Sequence, residues 1–191
     1  MEGEEKQQLN RARERLKLLL ATHLKRLPHE TLRPAVGEVV MKQGAPAKTV
    51  MLVKMGQLNI EFATTHGPAQ VIAVVGRDEL LGEMGLVGDN HHSATVRVES
   101  GPAELISINA DELLQASLFD SELVMELLAL SSARCRQTNK TIAILYSALE
   151  ALATGERSTL ATCCEELSHQ VGQAETASAL LLELAKRLHT T

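Results

Sequence analysis

The chain has 191 residues, enough for one domain with a hydrophobic core and an additional segment. Aromatic residues make up only 2% of the chain and Trp is absent, which argues against nucleic-acid binding by base stacking. The formal net charge is −5, from 24 acidic and 19 basic residues, so the composition indicates no polybasic surface.

Cysteine usage and the apolar runs bear on the compartment. The three cysteines, Cys135, Cys163 and Cys164, form no CxxC pattern, so neither a disulfide framework nor a zinc site is indicated. Met1 is followed by acidic residues rather than by the basic start of a secretory signal. No run of about 18 apolar residues occurs. We therefore expect a cytoplasmic protein without a membrane segment.

The first element is a helix over about residues 4–27, where leucines recur at helical spacing and basic residues cluster. Pro28 and Pro34 then break the pattern. The basic cluster allows two interpretations, an arm for a membrane surface or nucleic acid, or an amphipathic helix packed on the next domain. We favour the packed helix and assign residues 1–30 to an N-terminal helical segment. Its leucines are Leu9, Leu16, Leu19, Leu20 and Leu24.

Between residues 36 and 108 the pattern changes to short apolar runs separated by glycines. Many short strands with glycine-containing turns indicate a sandwich or a jelly-roll barrel. We assign residues 31–118 to such a β-roll. The predicted strands cover residues 36–41, 50–53, 58–62, 71–75, 94–98 and 104–108.

The segment 82–96 stands out within this region because it combines a glycine-bounded turn with one acidic residue, Glu83. Glycine permits positive φ and close approach, so successive backbone N–H groups around such a turn form an anion-binding nest. A carboxylate repels phosphate but accepts hydrogen bonds from sugar hydroxyls. The segment therefore suits a cyclised sugar phosphate better than a free polyphosphate.

Segment 82–96 resembles the phosphate-binding cassette of the cyclic-nucleotide-binding domain family, seen in catabolite activator proteins and protein kinase A regulatory subunits. The family pattern is Gly-Glu, small and apolar residues, a loop, and Arg-(Ser/Ala)-Ala. The resemblance implies that Glu83 binds the ribose 2′-hydroxyl, and that amides near the turn bind the phosphate. The cassette residues implied are Gly82, Glu83, Met84, His92, Ser93 and Ala94.

Two departures from the family pattern affect this expectation. Asp78-Glu79 stands where the family has Gly-Asp, before the cassette. His92 stands where the family has the phosphate-pairing Arg, and a neutral imidazole forgoes a charge-assisted hydrogen bond of about 1.5–3 kcal/mol. Such a loss weakens binding about tenfold to a hundredfold. Three outcomes stay open: weak binding of an ordinary cyclic nucleotide, binding of another ligand, or no binding.

The resemblance also places Ile60 and Ile72 on the pocket wall, facing the base and the sugar. Both residues fit equally well as core side chains of a barrel. His91 and His92 invite a metal interpretation, but adjacent histidines seldom point at one ion and no third ligand is evident, so we expect no metal.

Helices are predicted from residue 110 onward. A short one begins at 110–114, and Asp120 can cap a long one over 121–152. A repeat at alternating three- and four-residue steps, apolar at its ends and more polar in its middle, predicts a coiled-coil seam, so we assign 119–152 to a homodimer interface. The seam is Val124, Leu128, Ser131, Cys135, Thr138, Ile142, Leu145, Leu149 and Leu152.

Two polar residues of this helix have alternative roles. In dimers of the family, polar residues at mid-helix lie over the bound base, so the resemblance implies that Asn139 and Thr138 read the ligand's edge. The alternative is a polar pair that fixes the register of the dimer without touching a ligand.

The tail, residues 153–191, is shorter than the family's winged DNA-binding domain, although residues 166–172 resemble the centre of a helix-turn-helix. DNA binding needs Lys and Arg against phosphates. The tail carries three basic and five acidic residues, so we expect it to contact a protein partner rather than DNA.

The predicted fold is therefore α+β, mainly β with flanking helices: a β jelly-roll barrel, an N-terminal helix, a long dimerisation helix and a short helical tail. No nucleophile–base pair, paired-carboxylate site or Walker-type loop occurs, so we expect no enzyme and no cofactor. The main hypothesis is a regulatory sensor of cyclic AMP, cyclic GMP or cyclic di-GMP. The alternatives are a ligand-free dimerisation scaffold and a transcription regulator with an abbreviated helix-turn-helix.

Overall fold

A computed structural model describes residues 2–65, 67–86, 88–168 and 173–188. The expected α+β class is confirmed, an antiparallel sheet with flanking helices, and helices take about 50% of the chain against 27% for strands. The elements are α1 (Glu2–His23), β1 (His29–Leu32), β2 (Val39–Met41), β3 (Thr49–Phe62), β4 (Gln70–Val75), β5 (Leu80–Leu81), a 3₁₀ turn (Glu83–Leu86), β6 (Thr95–Asn109), α2 (Ala110–Leu118), α3 (Ser121–Thr154), α4 (Arg157–Ser168) and α5 (Gln173–Leu188).

The strands form one antiparallel sheet in the order β1-β6-β3-β4, with β2 also paired to β6 and β5 to β3. The prediction of separate strands at 50–53 and 58–62 is wrong, because both lie in the single long strand β3. That strand bends where its register against β6 shifts, around Gly56 at φ 96°. A side chain at Gly56 would lie 2.9 Å from the Cα of Ala103, so only glycine fits this bend.

Side-chain alternation along β3 creates a core on each face of the sheet. Val50 and Leu52 pack with residues of α1 and α3. Met51 and Val53 pack inside the roll, where β2, β5 and β6 also contribute. The roll is therefore attached to its helices by a continuous apolar layer rather than by a few surface contacts.

Helix α1 packs on the domain, as the favoured interpretation of its basic cluster expects. Leu16 and Leu20 are buried in the core shared with α3. The basic side chains pair with acids of the turn before β5 and of α3: Lys17 with Asp78 at 2.6 Å, and Arg15 with Glu126 at 3.1 Å. The helix ends at His23, four residues before the predicted end. The side chain of Leu9 lies outside the described residues.

Helix α3 begins and ends with well-defined caps. The Asp120 side chain accepts hydrogen bonds from the backbone N–H groups of Glu122 and Leu123, and Gly155 closes the helix at φ 77°. Hydrogen bonding to His23, and then the bonds from these two N–H groups, lowers the pKa of the Asp120 carboxyl below its usual value. The cap therefore also ties the start of α3 to the end of α1.

The helical tail packs on the second half of α3. Leu160 and Leu167 of α4, and Leu181 of α5, join Ile144 and Ala148 of α3 in a separate buried cluster. The predicted turn of a helix-turn-helix falls largely on residues 169–172, which lie outside the described residues. No helix in the described part of the chain has the length and apolarity needed to span a membrane.

Candidate functional site

The predicted cassette begins with a bend that requires glycine. Gly82 has φ 84°, and an added Cβ would lie 2.9 Å from both the carbonyl oxygen of Thr49 and the Cε of Met41. The following 3₁₀ turn packs closely on the other end of the cassette, because a Cβ on Gly85 would come within 3.0 Å of the His91 carbonyl oxygen. The two ends of segment 82–96 therefore lie against each other.

The unusual turn before the cassette keeps a glycine-like conformation. Asp78, in the position of the family's glycine, has φ 69°, in the left-handed region that Asp and Asn tolerate best among side-chain-bearing residues. Lys17 of α1 holds the Asp78 carboxylate. The substitution of Asp78-Glu79 for Gly-Asp therefore preserves the turn and adds an ionic contact to it.

The most strongly constrained charged group of the site is Glu83, only 5% exposed. Its carboxylate accepts a hydrogen bond from Arg134 of α3, a residue that sequence reasoning missed. Arg134 also donates to Glu79 at 2.9 Å and to the Leu80 carbonyl oxygen at 2.8 Å. Glu79 in turn pairs with Arg13 of α1 at 2.5 Å. The cassette, the turn before it and both long helices thus share one ionic network.

The electrostatics keep Arg134 charged. Burial alone would lower the pKa of the Arg134 guanidinium, but the charges of Glu83 and Glu79 raise it above its usual value. The sequence did contain a signal for the pairing. Arg134 lies four residues after the buried Leu130, on a helix face that an unpaired cation would not occupy.

His92 is buried as well, at 8% exposed. Its backbone pairs with the loop after β2, since its N–H donates to the Ala45 carbonyl and its carbonyl accepts from Gly44. Among the described residues, the Nδ1 of its ring has no hydrogen-bond partner. Burial lowers the pKa of this imidazole. A neutral ring, rather than a permanent cation, therefore occupies the position of the family's arginine.

The remaining cassette residues lie on the surface of the bend. Met84 and Ser93 are exposed, and the Ser93 hydroxyl lies 3.8 Å from the Met84 sulfur. Ala94 is half-buried just before β6 begins. The structure therefore brings the two predicted halves of the cassette together.

The two predicted wall residues differ from each other. Ile60 on β3 is half-buried, packs against the core inside the roll and pairs with Val96 of β6. Ile72 on the neighbouring strand β4 is 44% exposed, so it is not a core side chain.

A cleft of about 270 Å³ opens elsewhere on the roll, between the end of β1, β2 and β3. No predicted site residue lines it; its walls are Leu32, Arg33, Pro34, Glu38, Val39, Val40 and Met51.

The predicted readers on α3 lie beyond the ionic network. Thr138 follows Arg134 by one turn and donates its hydroxyl hydrogen bond to the Arg134 carbonyl at 3.1 Å. Asn139 is exposed. Within the described residues, no group of three or more His, Cys, Asp or Glu side chains could hold a metal ion.

The site thus consists of a glycine-bounded bend of a β-roll that a partly buried ionic network joins to the long helix α3. Residues 33–118 match the family model of the cyclic nucleotide-binding domain. The resemblance noted in the sequence is thereby confirmed.

Solved structures agree on the fold. A cyclic nucleotide-binding domain from Methylobacillus flagellatus aligns with a TM-score of 0.55 at 23% identity, covering 60% of this chain and 66% of that one. The catabolite activator protein of Thermus thermophilus aligns with a TM-score of 0.54 at 19% identity, over 95% of both chains. That alignment extends beyond the roll into the helical tail.

One curated relative is similar over part of its length. The acetyltransferase Pat of Mycolicibacterium smegmatis is 34% identical over 77 residues, which are 40% of this chain. The chain spans 21% of the length of that relative. The similarity concerns less than half of this chain, so the relative's enzymatic name does not transfer with it.

Proposed function

We propose that the protein is a ligand-sensing regulator in which an anionic cyclic nucleotide binds at the bend 82–96 and α3 transmits the signal. The observation that carries this proposal is the contact between Glu83 and Arg134. Glu83 is the residue to which the family resemblance assigns the ribose hydroxyl. A ligand that hydrogen-bonds Glu83 therefore alters the partner of Arg134, and with it the seating of α3.

Calorimetric titration with cyclic AMP, cyclic GMP and cyclic di-GMP tests this function. Binding of at least one nucleotide to the parent protein, abolished by Glu83→Ala, is the expected result. Glu112→Ala is the matched control, because Glu112 is an exposed acid of α2 that lies outside the cassette. Unchanged affinity in Glu83→Ala would mean that the ribose lies elsewhere.

A ligand-free scaffold is the second candidate. The contact between Glu83 and Arg134 also favours this function, because it occupies the acid that a ligand would need. The Glu83 carboxylate is already satisfied by Arg134, and His92 lacks a permanent charge. Failure of all three nucleotides to bind, with the dimer intact, would select this candidate over the sensor.

The dimer is proposed from the outer face of α3, with a seam that differs from the predicted one at five positions. Four residues give way to the next residue along the chain and Leu152 is left out; the four are Val124, Ser131, Thr138 and Leu145. Leu145 and Leu152 pack against the protein's own tail cluster, so they are not available to a second copy. The exposed residues repeat at alternating three- and four-residue steps, as in a two-stranded coiled coil. They are Met125, Leu128, Ser132, Cys135, Asn139, Ile142, Tyr146 and Leu149.

In this seam Asn139 sits at a position where a single polar residue fixes the register of a parallel pair. Two copies in register bring their Cys135 thiols together, so a short bifunctional thiol reagent is expected to cross-link the protein as a dimer. Cys163 and Cys164 are buried, so they are expected to react little with the reagent and to give only background cross-linking. Persistence of the cross-link in Cys135→Ser would refute the parallel seam.

Substitution within the seam gives an independent test. Ile142→Glu is expected to convert the dimer to a monomer in sedimentation velocity, because it places a charge in the apolar contact. Gln137→Glu adds the same charge at an exposed position off the seam and is expected to leave the dimer intact. A dimer that survives Ile142→Glu would assign the interface to another face.

The acidic tail is proposed to contact a protein partner rather than DNA. Binding to duplex DNA is expected to be weak and without the steep salt dependence that phosphate contacts produce. Duplex titrations at two salt concentrations check this expectation, and a steep salt slope would favour the transcription regulator instead.

A further inference from the structure

The inference concerns His92, which combines three features at one point of the cassette. It stands where the resembled family carries a permanent cation, it is 8% exposed, and its ring Nδ1 has no partner among the described residues. A buried polar atom without a partner costs free energy, so each such atom in a native structure calls for an explanation, such as a bound water or ion. An incoming anion would supply the missing partner.

Burial, rather than a neighbouring charged group, sets the charge state of His92. The preceding residue, His91, bonds within its own turn, where its backbone N–H donates to the Asp89 carboxylate at 3.1 Å and its ring Nδ1 lies 2.5 Å from the Asp89 carbonyl oxygen. On the loop after β2, Lys42 is exposed, and on the 3₁₀ turn Glu83 is bound by Arg134. Burial is the cause that lowers the pKa of His92, with no contribution from a charged group in the described part of the chain.

We infer that nucleotide binding at the bend is coupled to the uptake of one proton by His92, so that the site responds jointly to a cyclic nucleotide and to acidity. This inference rests on the proposed function. In the free protein the buried ring is neutral. When an anion binds beside it, the ring takes a proton from solvent and becomes an imidazolium, which donates charge-assisted hydrogen bonds to the phosphate.

A pH dependence of binding can be assigned to the protein, because the charge of a cyclic nucleotide's phosphate does not change in this pH range. A cyclic phosphodiester lacks the second ionisation that a phosphate monoester undergoes near about pH 6. Its single negative charge is therefore constant across the range in which the imidazole titrates. Any pH dependence of its binding reports the protein's own groups.

The size of the effect follows from linkage. One proton taken up on binding makes the affinity rise by up to about tenfold for each unit of decreasing pH. The slope disappears once the free protein is itself protonated at His92. Arginine at the same position remains charged throughout, so its binding is expected to be stronger at neutral pH and independent of pH.

The experiment is a calorimetric titration of the full chain with cyclic AMP and cyclic GMP at about pH 5.5, 6.5 and 7.5. Each titration is repeated in two buffers of different ionisation enthalpy, which yields the number of protons taken up. Circular dichroism at each pH establishes that the protein is folded. The variants are His92→Arg and, as the matched control, His91→Gln at the exposed neighbouring histidine.

The expected result is stronger binding on acidification and uptake of up to one proton for the parent protein and for His91→Gln. His92→Arg is expected to bind more tightly than the parent at neutral pH and to take up no proton. Proton uptake by the parent is measurable even if His92→Arg fails to fold.

Two results overturn the inference in distinguishable ways. Nucleotide binding of equal affinity at all three pH values, without proton uptake, overturns the coupling and leaves the proposed function in place. Absence of binding, both by the parent under acidic conditions and by His92→Arg at neutral pH, overturns the proposed function and the coupling with it.

Discussion

The ionic network around Arg134 makes a quantitative prediction for Arg134→Met. Methionine keeps a long, unbranched side chain in the same space but removes the charge and all three hydrogen bonds. Glu79 retains Arg13 at 2.5 Å, so the loss falls mainly on Glu83, which stays buried without a counter-charge. Removing one partner of a buried ion pair costs about 3–5 kcal/mol. That is a large part of the roughly 5–15 kcal/mol that holds a typical domain folded.

Chemical denaturation of four variants measures this cost: Arg134→Met, Glu83→Gln, the double variant and Arg136→Met. Arg136→Met is the matched control, because Arg136 lies on the same helix but is exposed and bonds only to Ser132 among the partners described. Its free energy of unfolding is expected to change by less than about 0.5 kcal/mol. The double variant Glu83→Gln with Arg134→Met is expected to recover part of the loss, since contacting residues couple by about 0.5–3 kcal/mol.

Two outcomes would refute this reasoning. One is an Arg134→Met protein whose free energy of unfolding lies within about 1 kcal/mol of the parent, far below the cost of an uncompensated buried charge. The other is strict additivity in the double-mutant cycle, which would mean that Glu83 and Arg134 do not interact in solution.

The remaining predictions concern the bend, the helix cap and the ligand acid. Gly82→Ala is expected to lower the free energy of unfolding more than Gly44→Ala: both need positive φ, worth about 1–2 kcal/mol, but only Gly82 also meets a carbonyl oxygen. Equal losses of unfolding free energy in the two variants would show that the chain moves to relieve the contact between the new Cβ at Gly82 and the Thr49 carbonyl oxygen. The pKa of the Asp120 carboxyl is lowered by His23, so its stabilisation is complete above the ordinary value of 3.8 and is lost as the pH falls below it. Asp120→Asn, which keeps a good capping residue, is therefore expected to show a smaller loss of melting temperature on acidification; an identical loss would contradict the assignment. A cyclic nucleotide is expected to raise the melting temperature of the parent protein but not that of Glu83→Ala. An equal rise in both proteins would show that Glu83 does not bind the ligand.

The sequence predicted the fold class because its signals are local. Short apolar runs separated by glycines indicate strands, and Asp120 indicates the start of a helix. Residues that recur every three or four positions indicate a long helix. The strand count was wrong for a physical reason. Gly56 marks a bend inside β3 rather than an end, and a local pattern does not distinguish the two.

The site was harder to predict because its contacts join distant parts of the chain. Glu83 and Glu79 meet Arg134 from the far end of the sequence, and Arg13 meets Glu79 from the near end. Only packing of α1 and α3 on the same side of the roll brings these charges together. The sequence likewise does not show that Leu145 packs against the tail, and for this reason the proposed seam differs from the predicted one.

Neighbouring residues on α3 serve opposite sides of the molecule: Arg134 reaches inward to the bend, and Cys135 faces outward. Consecutive positions on a helix are about 100° apart, and a helix turns as one rigid cylinder. A ligand that rotates α3 at Arg134 would therefore also move the outer column of Leu128, Cys135 and Ile142. In a dimer joined along that column, a ligand at the bend of one copy would therefore act directly on the helix of the other.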